Sequence, residues 1–234
     1  MQTIVDDDNL TRTKAQTLGS EIFGFSKLSI SGPEDLMEKI LTKYGQHIIF
    51  GVPALLNTNK YVVSAIGHSR SQFDILLINY LSDIEIVELK RPDEFLLDYD
   101  SNRGKFYPSK SLGIAAAQSE RYISALYREH DTDLKIGDLT IRDYLEQELG
   151  GTITLSICRP KAIIVIGTIQ RIVKPYDELS PSIKSGVSKV DYEKNASDAY
   201  KEMKSAYKNI DIVTYTELIE GARLRLQISE RDME

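Results

Sequence analysis

The stretch FDILLINYLSDIEIVELKRP, residues 73–92, decides how the chain is read. It holds two apolar runs, FDILLINY and IEIVELK, with the polar turn Asn79 to Asp83 between them. Short runs of β-branched and aliphatic residues favour strands, and a polar turn joins antiparallel neighbours, so a β-hairpin is expected here. Residues two apart in a strand share a face, so Glu88 and Lys90 should project together while Val87 and Leu89 point into the core. A partner strand carrying Asp74 would bring a second carboxylate beside Glu88. Two carboxylates with adjacent backbone carbonyls make a hard-oxygen donor set suited to magnesium or manganese. A lysine on the same face can orient a water and offset phosphate charge, which is what phosphodiester hydrolysis requires beside a bound metal. The competing reading is a solvent-facing ion pair on an amphipathic strand, because an acid followed two residues later by lysine arises often by chance.

Upstream, Ser31-Gly32-Pro33 provides a helix start, and Leu36, Ile40, Leu41 and Tyr44 then fall on one helical face. Residues 1–30 mix Gly, Thr, Ser and charges without a sustained period and read as an arm or loosely structured lead-in. YVVSAI, residues 61–66, is a further strand candidate. Downstream, a polar, mobile stretch from Arg91 to about Lys110 leads into SLGIAAAQSERYISALYREH, whose Ala and Leu content suits a long helix packed across the sheet. Gln118 and Tyr122 lie four apart on it and share a face.

Residues 131–150 read as an excursion with a short helix around TIRDYLEQEL. TITLSI and KAIIVIG follow as β segments separated by Cys158-Arg159-Pro160, the second apolar enough for a central strand buried on both faces. Beyond Pro175 come a polar loop, a Lys-rich helix near Ser197 to Lys208, a strand at DIVTY and a final helix from about Thr216. The order fits an α/β domain over residues 31–234, a mixed central β-sheet flanked by helices with a C-terminal α/β extension.

With 41% hydrophobic and 27% charged residues, the 234-residue chain can bury a substantial core, so disorder is not expected to dominate. The single cysteine cannot form an intrachain disulfide, and no Cys and His cluster has zinc spacing, so a reducing compartment is expected, by default cytoplasmic. No apolar run approaches the ~18 residues of a membrane span. A net charge of -6 excludes a uniformly basic coat yet leaves room for a local basic groove. No glycine-rich phosphate loop or nucleotide-binding fingerprint is present, so no nucleotide cofactor is expected.

Asp74 on one hairpin arm with Glu88-Leu89-Lys90 on the other resembles the signature of PD-(D/E)xK nucleases, and Gln118-x-x-x-Tyr122 is similar to the QxxxY element of their RecB-like members. More narrowly, VELKRP at 87–92, AAAQSERY at 115–122, RPKAIIVIG at 159–167 and VTYTELIEGA at 213–222 resemble the nuclease domain of the Shedu anti-phage defence family, a likeness spanning roughly residues 34–226. The resemblance implies a restriction-endonuclease-like core, a divalent cation (Mg2+, with Mn2+ possible), cleavage or nicking of double-stranded DNA, and a homo-oligomer, dimer or tetramer. It implies that Asp74 and Glu88 are metal ligands, that Lys90 is the catalytic lysine, and that Gln118 and Tyr122 support the site or the DNA. Phe73 stands where the signature has proline, a position that varies among these nucleases. An early-helix glutamate often completes such sites, and Glu34 is preferred here over Glu38. A DNA-binding or sensor module that keeps the fold without cleaving is the alternative.

Arg91, Arg103, Lys105 and Lys110 could contact the DNA backbone or serve solubility alone, and Arg70 and Arg121 could reach the groove or form surface ion pairs. His47, His68 and His130 have no partner pattern, and Cys158 has no activating neighbour. The lysines from Lys184 to Lys208 alternate with acids, as on a solvated helix.

Overall fold

The computed structural model describes residues 1–7, 9–43, 49–50, 54–57, 62–64, 70–71, 73–78, 84–127, 134–136, 139–148 and 160–231. TITLSI, Cys158 and the three histidines lie outside them, as does the turn Asn79 to Asp83.

The predicted hairpin is formed by β4 (Ile75–Ile78) and β5 (Ile84–Leu89), antiparallel with Ile75 opposite Val87. β1 (Ala54–Asn57) pairs antiparallel with the far edge of β4, while β10 (Lys161–Val165) runs parallel to β5 and β11 (Ile210–Val213) parallel to β10. The result is a five-stranded mixed sheet in the order β1-β4-β5-β10-β11. The YVVSAI segment does not join it. Its β2 (Val62–Ser64) enters a separate four-stranded sheet with β3 (Arg70–Ser71), β8 (Leu134–Ile136) and β9 (Leu139–Thr140).

Alternation along the central strands feeds two cores. Ile84 and Ile86 of β5, with Ala162 and Ile164 of β10 and Ile210 and Ile212 of β11, pack beneath α4 (Lys110–Tyr127) and α7 (Lys189–Ala206). Val87 and Leu89, with Ile75, Leu77 and Val165, pack against α3 (Pro33–Lys43) and α8 (Tyr215–Arg231) on the other side. β5 therefore has no solvent face, and the reading of Glu88 as a surface residue fails because helices cover both sides: Glu88 is 3% exposed.

Two expectations change. The stretch after Arg91 is not loose: β6 (Leu97–Asp100) and β7 (Lys105–Pro108) form a hairpin whose Tyr99 and Phe106 rings pack on Tyr192 of α7, with centroids 5.2 and 5.1 Å away. The first thirty residues hold α1 (Gln2–Val5) and α2 (Arg12–Phe23), the latter capped where the Thr11 side chain accepts from the Lys14 amide. Ile4, Leu10 and Ala15 are fully buried against the α3 side of the sheet, so this segment is part of the packed structure. Two further helices, α5 (Ile141–Glu148) and α6 (Pro181–Lys184), are short. Among the described residues no helix is long and apolar enough to cross a membrane.

Candidate active site

The antiparallel register that sets Ile75 opposite Val87 brings Asp74, the residue just before β4, to the end of β5 that carries Glu88. Asp74 accepts a 2.7 Å hydrogen bond from the Leu89 amide through Oδ2, which ties the start of β4 to the end of β5. One residue past β5, Lys90 donates from Nζ to Glu88 Oε1 at 2.8 Å. Glu88 Oε2 is buried and has no hydrogen-bond partner among the described residues. The three residues singled out in the hairpin are thus brought together at one end of the sheet.

Burial and then the neighbouring Asp74 charge push the Glu88 carboxyl up to about 7, against the opposing pull of the Lys90 ammonium. Asp74 is likewise raised by burial, despite its hydrogen bond from Leu89 and the Lys90 charge. Burial works to lower Lys90, but the charge and hydrogen bond of Glu88, with Glu34 and Asp74 beyond, outweigh it and leave Lys90 above its ordinary value. Lys90 is therefore a held ammonium, fit to donate and to stabilise negative charge, and is not a neutral base.

Glu34 approaches from the other layer. It sits in the first turn of α3, and with Glu38, Asp74 and Arg91 it lines a cleft of about 450 Å³. Its carboxyl is raised first by burial, with Asp74 and Glu94 adding to the effect and Lys90 and Arg91 opposing it. Of the two glutamates weighed in the sequence, both line the cleft, and the Glu34 charge acts on Glu88 and Lys90.

From the α4 side come Gln118 and Tyr122. Gln118 Oε1 is buried without a hydrogen-bond partner among the described residues, and so is Oγ of Ser119. Tyr122 is 2% exposed, raised by burial and then by the Glu88 charge, and meets Phe73 edge-on with ring centroids 5.9 Å apart. Phe73, in the place of the signature proline, thereby joins the strand that carries Asp74 to the helix that carries Tyr122.

The flanking cations are less gathered. Arg91 donates to both oxygens of Asp93, from Nε at 2.8 Å and Nη2 at 2.6 Å, and Nη2 also reaches the Leu10 carbonyl at 3.2 Å. Its guanidinium is thus engaged in holding the N-terminal segment at the cleft. Arg103, Lys105 and Lys110 are exposed on or just beyond the β6–β7 hairpin, and Lys105 lines a second cleft with Asp198 and Glu202. Arg121 lies over the Tyr122 ring at 5.5 Å, and the Arg70 side chain lies outside the described residues.

Sequence reading missed two residues. Glu94 has a buried Oε2 without a hydrogen-bond partner among the described residues, and its charge reaches Glu34. Tyr215 is fully buried and donates from its hydroxyl to the Lys90 carbonyl at 2.8 Å. The DE pair after KRP and the tyrosine within VTYTELIEGA were the available signals, but neither spacing marks the residue.

A divalent cation suits these donors in chemistry: two neighbouring carboxylates at one end of the sheet, one with a buried oxygen that nothing described satisfies. No group of three or more His, Cys, Asp or Glu side chains arranged to hold a metal is found among the described residues.

A comparison with curated proteins finds no match. The family model described as Shedu protein SduA, C-terminal, matches residues 28–219, most of the chain, and the chain belongs to this family of anti-phage defence.

Proposed function

We propose that the chain is a metal-dependent DNA endonuclease of the PD-(D/E)xK kind, nicking or cleaving double-stranded DNA in the cytoplasm as its part in defence against phage. The observation that carries this reading is Glu88: a buried carboxyl pushed up to about 7, hydrogen-bonded to Lys90 on one oxygen and unsatisfied on the other, beside Asp74. An unsatisfied buried carboxylate is costly, and such a cost is tolerated where it serves a ligand or a reaction.

Asp74 and Glu88 would hold a magnesium or manganese ion, with Glu34 lining the same cleft as Asp74. When bound, the ion supplies positive charge to the scissile phosphate and acidifies a water. Lys90, held as an ammonium, directs its protons at the attacking water or a phosphate oxygen and offsets charge as it develops there. Tyr122 and Phe73 fix the spacing between α4 and β4, while Gln118 offers an amide to the site or the DNA. One site per chain calls for two protomers or two successive nicks to sever a duplex, so a homo-oligomer, dimer or tetramer, belongs to the reading.

The alternative is the same fold without cleavage, as a DNA-binding or sensor module, in which the metal could still bind. Cleavage of supercoiled plasmid with magnesium or manganese separates the two. The nuclease reading expects metal-dependent nicking that falls at least ~100-fold in both Glu88→Ala and Lys90→Ala. Metal-loaded, folded protein that binds DNA and never cuts it would leave the sensor reading standing, and cleavage unaffected by both substitutions would mean that the site lies elsewhere.

A further inference from the structure

Lys90 lies one residue beyond the end of β5, where the strand ladder no longer fixes the backbone on both sides. Its amide still donates to the Val165 carbonyl at 2.8 Å, while its own carbonyl accepts from the Tyr215 hydroxyl at 2.8 Å. Tyr215 reaches it from a fastened base. Its amide donates to the Gly167 carbonyl at 3.0 Å, and Gly167 in turn donates to the Arg91 carbonyl at 3.1 Å. Only glycine fits at 167: φ is +56°, and a Cβ there would stand 2.4 Å from the Glu94 carbonyl oxygen. Behind Tyr215, Thr214 and Glu217 exchange hydrogen bonds as a capping box, from the Thr214 amide to Oε2 at 2.7 Å and from the Glu217 amide to Oγ1 at 3.2 Å.

We propose that Tyr215 is a positioning residue for Lys90: its buried hydroxyl fixes the peptide plane that leaves Lys90, and with it the direction in which the ammonium departs toward Glu88. The inference rests on the reading of Lys90 as a residue of a nuclease site. Burial, with Glu34, Asp74 and Glu94 nearby, holds the phenol well above its ordinary value, so it remains a donor throughout the working pH range. A lysine on a flexible four-carbon stem depends on its backbone for aim, and displacement by ~1 Å at a reacting group can cost up to ~100-fold in rate.

The test is plasmid nicking by the full chain with magnesium, comparing wild type, Tyr215→Phe, Tyr192→Phe and Lys90→Ala. Tyr192 is the matched control, a buried tyrosine that donates to the Lys174 carbonyl at 2.9 Å within the aromatic cluster of the β6–β7 hairpin. Both phenylalanine variants delete one buried hydroxyl from one carbonyl, so comparable drops in melting temperature are expected. Tyr215→Phe alone should lower the rate at saturating DNA by about tenfold with KM within about twofold. Equal rates in the two phenylalanine variants, with Lys90→Ala inactive, would overturn the inference and leave the nuclease reading intact. A Tyr215→Phe protein that melts well below Tyr192→Phe and loses DNA affinity along with rate would make the tyrosine purely structural, which also overturns it. Wild type that never nicks DNA removes the nuclease reading and this inference with it.

Discussion

Glu88 and Glu217 each stand 2.8 Å from a lysine ammonium, and there the likeness ends. Glu217 accepts from Lys204 on Oε1, and from the Thr214 amide, the Thr214 hydroxyl and the Tyr200 hydroxyl on Oε2. Burial would raise its carboxyl, but the hydrogen bonds from Lys204 and Thr214 outweigh burial and hold it below the usual carboxylate range. Glu88 is more deeply buried, has one ammonium and one unsatisfied oxygen, and is pushed up instead. The same ion pair is a structural joint in one place and a strained, ligand-ready group in the other. What decides is how many donors the surroundings supply relative to how much water they remove.

The sharpest way to break the contrast is Glu88→Gln, which keeps the shape and removes the charge. Because the folded-state value of about 7 lies above the ordinary 4.5, the folded protein holds an extra proton in that window, and wild-type stability falls as pH rises through it. Glu88→Gln should therefore be more stable than wild type at pH 8, by up to about 3 kcal/mol on the 1.36 kcal/mol per unit scale, with the gain shrinking toward pH 4. Denaturant melts across pH check this, and a loss of stability at pH 8 would mean that Glu88 is satisfied after all.

A slightly smaller effect is expected from the cation. At 100 times its Kd, magnesium or manganese should stabilise wild type by about 2.7 kcal/mol and do little for Glu88→Gln, as read by the shift in melting temperature. Equal shifts in both proteins would place the cation away from Glu88. The smallest effect belongs to Glu217→Gln, which should lower stability by about 1 kcal/mol at neutral pH, since it weakens a half-exposed cap. Glu217 has the opposite sign with pH: its contribution is present above the ordinary carboxylate value and is lost as pH falls through its depressed one. A variant that matches wild type at pH 7 would show that the cap carries no net stabilisation.

What could be read from sequence was what lies close along it. The β4–β5 hairpin, the spacing of Glu88 and Lys90, and the shared face of Gln118 and Tyr122 all follow from periods of two or four residues. The N-terminal helix was hidden because part of its inward face is Ala15 and Gly19, the latter lodged against Ile30 and Leu36, with no stripe of large apolar residues to reveal it. The β6–β7 hairpin looked polar because Asp98 and Asp100 alternate with its inward residues and its aromatic partner, Tyr192, lies in a distant helix. Glu94 and Tyr215 have meaning only in three dimensions: the tyrosine meets Lys90 across 125 residues of chain.

That separation has a consequence in time. On a ribosome adding about 5–20 residues per second, Asp74, Glu88 and Lys90 are all made before the chain reaches the tyrosine, and the 125 residues from Lys90 to Tyr215 take roughly 6–25 s. Within that interval come β10, the parallel strand that pairs with β5, and then β11, which pairs with β10 and is finished just before the tyrosine. The nascent chain thus carries every charge of the candidate centre well before it carries the hydroxyl that meets the Lys90 carbonyl, so the centre is completed only late in synthesis.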